Sequence, residues 1–279
     1  MNPLSIGKAW RQAGDRIGRQ ETRLLLEYAC GCSHTELISR SEREMTAAQA
    51  ECFDSLLKRR ISGEPLAYLL ESAWFCGLEF TVTPDVLIPR PETETLIDLA
   101  TERALALMRP SIADLGTGSG IVAIMLALRC PQSAVTAVDV SSAALRVARS
   151  NAEQYGVSIR FLEGDWFAPL SEKRFDLVVS NPPYVQAEDP HLLKSGLPFE
   201  PRQALTDGTG GGDGLDCIRR IIREAPPHLR PKGWLLLEHG YDQAAEVRRL
   251  LDQSGFIGVA SWQDEAGIER VSGGSLEPI

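Results

Sequence analysis

From about residue 111 the chain alternates short apolar runs with amphipathic stretches, and this alternation limits its possible folds more than any other feature. Residues 112–115, 134–138, 159–162 and 175–180 have the length and apolar character of buried strands. Residues 119–128 and 142–155 repeat apolar positions at helical spacing. After a long loop the pattern resumes with a helix at 215–225 and a strand at 234–238. A helix at 243–251 and a strand at 256–262 follow. Such alternation implies an α/β fold, a mostly parallel sheet covered by helices. Ligands of such sheets sit beyond the carboxyl ends of the strands.

Two motifs fall at those ends. Asp114-Leu115-Gly116-Thr117-Gly118-Ser119-Gly120 follows the first strand and opens a helix. Glycines there allow a tight turn and close backbone approach, and a helix N-terminus offers unpaired N–H groups, which suits a nucleotide-like cofactor. The dinucleotide fingerprint G-x-G-x-x-G needs glycine where this chain has Ile121, which weighs against NAD. Asp139 ends the second strand, where an acid commonly accepts from both ribose hydroxyls. The plainer alternative is a turn acid before the helix capped at Ser141. Asp165 and Trp166 end the third strand. Asp165 suits an adenine amino group and Trp166 the face of its ring, with core packing the alternative for Trp166. Asp114 either helps place the far end of the cofactor or orders the loop.

The second motif, Asn181-Pro182-Pro183-Tyr184, ends the strand at 175–180. Pro182 and Pro183 cannot donate hydrogen bonds and restrict the residues before them, so nearby carbonyls stay fixed as acceptors. The Asn181 side-chain oxygen and one such carbonyl can accept from both hydrogens of a planar NH2 group, while Tyr184 offers a flat face. An amide nitrogen is a poor nucleophile because its lone pair is delocalised. Orienting it and favouring its pyramidal form is what two acceptors achieve. With the glycine loop, this points to methyl transfer from S-adenosylmethionine to an amide or amino nitrogen. A proline-rich turn with no chemistry is the plainer reading. Adenine N6, cytosine N4 and the glutamine side chain all present such a group. A non-catalytic S-adenosylmethionine-binding module is a further alternative, disfavoured by the intact acceptor motif.

Charge bears on that choice. The formal net charge is −9, and all of the acidic excess lies after residue 70, the first 70 residues being nearly neutral. A general nucleic-acid binder carries a basic footprint instead, so no direct nucleic-acid partner is expected. No apolar run is long enough to span a bilayer, and residues 1–14 do not resemble a signal peptide. The six cysteines show no C-x-x-C pair and read as reduced thiols of a cytoplasmic protein. Cys30-Gly31-Cys32-Ser33-His34 has no second ligand cluster near it in sequence, so no metal is expected.

Residues 1–70 read as a helical bundle. Ile6, Trp10, Ala13 and Ile17 form one stripe. Leu24, Leu25 and Tyr28 form another, ended by Gly31. Thr46 caps a third helix through Phe53, Leu56 and Leu57, with Gly63 beyond it. Residues 71–90 contain a β-hairpin turning near Gly77 and serve as a linker. A helix over 92–107 then opens the third region, 91–279.

The motifs together resemble the peptide chain release factor glutamine methyltransferases, the PrmC/HemK family. The resemblance rests on Gly63-Glu64-Pro65-Leu66-Ala67-Tyr68-Leu69 and on Leu87-Ile88-Pro89-Arg90-Pro91-Glu92-Thr93-Glu94, the most distinguishing segment. It continues through the glycine loop, Asp165-Trp166-Phe167, Asn181 to Tyr184, Glu200-Pro201, Ala204-Leu205, Gly212-Asp213-Gly214-Leu215 and Leu237-Glu238-His239-Gly240. It implies a class I, Rossmann-like S-adenosylmethionine-dependent methyltransferase domain, with a small N-terminal helical domain joined by a β-hairpin. It implies methylation of the glutamine amide nitrogen in the Gly-Gly-Gln motif of class I release factors, leaving S-adenosylhomocysteine. By position, Gly116, Thr117, Gly118, Ser119, Gly120, Asp139, Asp165 and Trp166 would bind the cofactor. Asn181 would meet cofactor and substrate, and Pro182, Pro183 and Tyr184 would complete the acceptor pocket. The helical domain would grip the release factor. Arg90 and Glu92 read as a structural ion pair, with ordering of the cofactor pocket the alternative. Two departures stand out. Glu71 replaces a usual glycine before the hairpin, and the tail after Val271 is unlike the usual ending, its order left open by the sequence.

Overall fold

The computed structural model describes residues 4–194, 196–208 and 212–277. It divides into two compact units, Met1–Ser72 with Leu193–Phe199, and Ala73–Leu192 with Glu200–Ile279.

The first unit is helical, with α1 (Ile6–Ile17), α2 (Arg19–Cys30), α3 (His34–Ser39), α4 (Ala47–Ile61) and the single turn α5 (Leu66–Leu69). Its core gathers Ile6, Ala9 and Ala13 of α1, Leu25 and Leu26 of α2, Leu37 of α3, and Phe53, Leu56 and Leu57 of α4. Each fully buried leucine contributes about 1.5–3 kcal/mol relative to exposure. Gly31 ends α2 in the left-handed conformation, φ 61°. Ser33 then caps α3, its hydroxyl accepting from the Glu36 N–H while Glu36 reaches back to the Ser33 N–H. The Cys30-to-His34 run is therefore a helix stop followed by a helix start. Thr46 and Gln49 make the same reciprocal cap on α4. Glu71 takes the positive φ of 54° that a glycine would adopt more easily.

The second unit starts with the hairpin β1 (Ser72–Phe75) and β2 (Leu78–Thr81), turning through Cys76 and Gly77, both at positive φ. Phe75 and Phe80 pack into the same core as Leu96 and Ile97 of α6 (Thr93–Leu105). Next come β3 (Ser111–Leu115), α7 (Ile121–Arg129), β4 (Ala134–Asp139), α8 (Ser142–Gln154), β5 (Ile159–Glu163) and β6 (Phe175–Ser180). The short turn α9 (Arg202–Leu205) and α10 (Asp216–Glu224) precede β7 (Leu229–Glu238), α11 (Ala244–Gln253), β8 (Phe256–Gln263) and β9 (Glu269–Leu276). None of the helices among the described residues is long and apolar enough to cross a membrane.

Seven strands form one sheet in the order β5-β4-β3-β6-β7-β9-β8. The first five are mutually parallel, and β9 runs antiparallel to both of its neighbours. The central strands β3 and β6 are buried along nearly their whole length because helices cover both faces. The chain winds outward from β3 through β4 to β5, then returns to β6 on the other side of β3. That reversal between β3 and β6 is where such sheets hold ligands.

The tail whose order the sequence leaves open continues as strand β9 to Leu276. Its two glycines suit that place in the sheet. A Cβ on Gly273 would stand 2.4 Å from the Leu235 carbonyl oxygen, and one on Gly274 would stand 2.9 Å from the Phe256 Cβ. Glycine here permits close strand packing instead of breaking the strand. Ser272 adds hydrogen bonds to Ser261 and to His239 Nε2. Residues 278–279 lie outside the described residues.

Candidate active site

In the pairing of β3 with β6, Leu115 stands opposite Ser180, and the Ser180 hydroxyl donates to the Leu115 carbonyl at 2.6 Å. Both strands thus end at the same level, and Gly116 and Asn181 leave the sheet side by side.

On the β3 side, the N–H groups of Gly116 and Thr117 both donate to the Val138 carbonyl, at 2.9 and 3.0 Å. This folds the loop over the end of β4. Gly116 and Gly118 have φ of 72° and 55°, the left-handed region that favours glycine. Asp139 fastens the loop, with Oδ2 accepting from the Gly118 N–H at 2.8 Å and Oδ1 from the Ser141 N–H at 2.9 Å. Burial raises the Asp139 pKa, and these backbone bonds oppose the shift. Ser141 itself caps α8 through the Ala144 N–H. Asp114 lies buried beneath the loop and accepts from the Thr117 hydroxyl at 2.6 Å. Burial pushes its pKa up to about 7, against the pull of Thr117 and the Ala123 N–H. Asn151 of α8, fully buried, donates to the carbonyls of both Ser119 and Thr81, tying the loop to the hairpin.

Trp166 has φ 48°, a strained value for a bulky residue. Its ring lies 3.3 Å from where a Cβ on Gly116 would stand. Asp165 Oδ2 accepts from Arg220 at 2.7 Å. Gly120 has a different part. A Cβ there would sit 3.0 Å from that of Ala148, so glycine lets α7 start against α8.

A cavity of about 340 Å³ opens at these strand ends. Among the residues singled out in the sequence, Gly116, Thr117, Gly118, Ser119 and Asp139 line it. So do Asp165, Trp166, Asn181 and Pro183, whereas Gly120, Pro182 and Tyr184 do not. The size is that of a small-molecule site. A glycine-rich loop, a carboxylate at the β4 end and an indole over the loop fit a nucleoside bearing an amino-acid tail.

On the β6 side, the Asn181 Nδ2 donates to the Thr93 Oγ1 at 3.1 Å. That leaves Oδ1 as the acceptor of a residue that lines the cavity. The Tyr184 carbonyl accepts from Gln243 Nε2 at 3.0 Å, and its hydroxyl donates to Glu238 Oε1 at 3.4 Å. Gln243 also donates to the Asp213 carbonyl and accepts from the Gly240 N–H. Gly214, at φ 77°, lies so close that a Cβ would fall 2.3 Å from the Tyr184 carbonyl oxygen. Burial raises the Tyr184 pKa, with the Glu238 carboxyl adding to it.

Arg90 also lines the cavity. It pairs with Glu200 instead of standing with Glu92, and Glu200 also accepts from the Ile88 N–H at 3.1 Å. Glu92 lies 3.8 Å from Arg270. The expected pair is thus replaced by one reaching 110 residues along the chain, which local spacing cannot reveal. Thr93, Gly214, Glu238 and Gln243 were visible only as letters of motifs or not at all. Their contacts with Asn181 and Tyr184 arise from tertiary packing.

Residues 93–196 match the family described as Methyltransferase small domain, and residues 8–70 match the PrmC N-terminal domain. A release factor glutamine methyltransferase of Bordetella pertussis is 47% identical over 93% of this chain and 96% of its own. One from Burkholderia pseudomallei is 49% identical over 92% of this chain and 91% of its own. A 16S rRNA methyltransferase of T. thermophilus, solved with AdoMet and guanosine, has a TM-score of 0.55 at 22% identity, covering 74% of this chain and 50% of that one. A methyltransferase from Pyrococcus furiosus has a TM-score of 0.54 at 19% identity, covering 81% of this chain and all of that one. These two likenesses, at 22% and 19% identity, bear on the fold alone.

Proposed function

The chain belongs to the release factor glutamine methyltransferases, and from that premise we propose that it methylates the side-chain amide of the glutamine in the Gly-Gly-Gln motif of class I peptide chain release factors. It is an S-adenosylmethionine-dependent methyltransferase. When bound, the cofactor supplies an electrophilic methyl group on a sulfonium.

In this reading Gly116, Thr117, Gly118 and Ser119 bring backbone N–H groups and a close-approach surface to the cofactor. Asp139 accepts from its ribose, and Asp165 and Trp166 serve the adenine. Gly120 supports the loop through its packing on α8. The observation that carries the acceptor assignment is the fixed amide of Asn181. Because Nδ2 donates to Thr93, Oδ1 is held as an acceptor. Oδ1 and a neighbouring carbonyl of the Asn181–Pro182 segment accept from the two hydrogens of the glutamine NH2. This orients the nitrogen and favours the pyramidal shape it takes as it attacks. Pro182 and Pro183 keep donors out of this pocket, and Tyr184 bounds it. No strong base is needed, because methylation acidifies the nitrogen and the proton is lost to water afterwards. The reading places the protein in the cytoplasm, in translation termination, with the helical unit docking the body of the release factor.

Mass spectrometry after incubation with S-adenosylmethionine tests this. One added methyl on the Gly-Gly-Gln glutamine of an unmethylated release factor is expected. A short Gly-Gly-Gln peptide is expected to be a much poorer substrate, because it lacks the surface for the helical unit. Label on adenine- or cytosine-containing nucleic acid and none on the protein would overturn the reading.

A further inference from the structure

Glu238 ends β7 with its side chain fully buried, and it does not line the cavity. A carboxyl in that position is costly unless hydrogen bonds or protonation offset its burial. The Tyr184 hydroxyl donates to its Oε1 at 3.4 Å. The Thr93 hydroxyl acts on the same carboxyl, lowering its pKa as a donor does, and Thr93 Oγ1 accepts from Asn181 Nδ2 at 3.1 Å. The donor directions are consistent, because the threonine hydroxyl can accept from the amide and donate to the carboxyl at once. Oε2 of Glu238 is buried and has no hydrogen-bond partner among the described residues. Glu92 and Arg270 are the other charged groups that act on it. No other side chain joins both polar ends of the Asn181–Tyr184 segment among the described contacts.

We propose that Glu238 is a positioning residue for methyl transfer, one carboxyl that sets Asn181 through Thr93 and Tyr184 directly, and so fixes the shape of the acceptor pocket. The inference rests on the assignment of that pocket to the glutamine amide. Without Glu238 the Thr93 hydroxyl is free to rotate. The Asn181 amide can then turn, presenting its NH2 to a substrate NH2 that needs an acceptor. Such a fault acts on the reacting geometry and leaves the glycine loop and Asp139 untouched.

The test is steady-state methylation of an unmethylated release factor by the full chain, with cofactor affinity and thermal unfolding measured on each variant. Glu238→Met, which removes both acceptor oxygens, and Thr93→Val are each expected to lower kcat about tenfold to a hundredfold, the scale of a misplaced reacting group. Cofactor Kd is expected to move less than about threefold, since a group remote from the loop couples weakly to it. The double variant is expected to be no slower than the slower single one, because both cut the same chain of contacts. Thr93→Ser, which keeps the hydroxyl, is expected to restore turnover relative to Thr93→Val. Multiplying losses in the double variant, unchanged kcat in a folded Glu238→Met, or a rise in cofactor Kd that matches the lost turnover would each overturn the proposal. If Glu238→Met does not fold, the pair Thr93→Val and Tyr184→Phe decides. Non-additive losses support a shared anchor, and multiplying losses remove it. The wild-type control separates the two readings: no methyl on the release factor glutamine refutes the function, whereas an active wild type with fully active variants refutes only the role of Glu238.

Discussion

The two sides of the cavity are built on different plans. The β3 side is local. Asp114, the glycines, Asp139 and Ser141 lie within or just beyond one strand–helix–strand unit and bind one another through backbone N–H groups and the Thr117 hydroxyl. The β6 side is assembled from afar. Asn181 and Tyr184 depend on Thr93, Gly214, Glu238 and Gln243, which come from three separate stretches of the chain. A local site is fixed as soon as its unit folds, and its spacing is readable in the chain. An assembled site depends on the whole unit being packed correctly. Cofactor binding and methyl transfer are therefore separable by substitution.

The strongest challenge to that division is Asn181→Ala. Turnover is expected to fall by about a hundredfold to a thousandfold, as when a single charge-stabilising group is removed. Calorimetric titration of the cofactor is expected to show a much smaller change. Equal losses in both would erase the distinction.

Each side also hides one carboxyl whose pKa burial pushes up to about 7, Asp114 on one and Glu238 on the other. Both values lie above those of the unfolded chain, so the folded protein holds protons that the unfolded chain releases. Their stabilising contribution is complete below about pH 4 and is lost as pH rises through about 7. For Glu238 the loss is on the order of 3 kcal/mol. Urea unfolding at pH 5 and pH 8 is expected to show lower stability at pH 8. Asp114→Asn and Glu238→Gln are each expected to flatten part of that slope, and additively if the sides are independent.

Asp139→Asn keeps the shape and removes the charge. It is expected to weaken the cofactor by about tenfold to a hundredfold, the value of charge-assisted hydrogen bonds. Turnover at saturating cofactor is expected to change little. A large loss of turnover with unchanged affinity would reverse the roles assigned to the two sides.

Two glycines sharpen the same contrast. Gly116→Ala crowds Trp166 and Gly214→Ala crowds the Tyr184 carbonyl, both at positive φ. Each substitution costs about 1–3 kcal/mol of local strain. The first is expected to appear in cofactor affinity and the second in turnover. Smallest of all, Thr46→Ala removes a helix cap in the first unit and is expected to cost about 1 kcal/mol in stability, with cofactor affinity unmoved.

The same contrast decides what a sequence reveals. The span of β6 was readable because its apolar run is continuous, and Thr46 and Gly31 announced helix ends by their own chemistry. The glycine loop and Asp139 were readable because their spacing is set by one βαβ unit. The short α3 is not legible as a periodic stripe because six residues span less than two turns, although Ser33 and Glu36 form a capping signal. β9 was missed because a Gly-Gly pair reads as a breaker unless the close neighbours on both sides are known. Glu238 read as the polar end of an apolar strand. Nothing nearby in sequence says that it meets Thr93 and Tyr184, 145 and 54 positions earlier.

The position of β9 has a consequence for damaged copies of the chain. It lies between β7 and β8 in space but follows both in sequence. A product cut short before Glu269 can still align its five parallel strands. It then carries Leu235, Leu236 and Leu237 on an open edge, with unpaired backbone groups where Gly274, Gly273 and Ser272 belong. Such an edge recruits other chains. Copies ended before Glu269 are thus expected to self-associate through that edge, and a truncation at residue 268 that stays monomeric in size-exclusion chromatography would refute this.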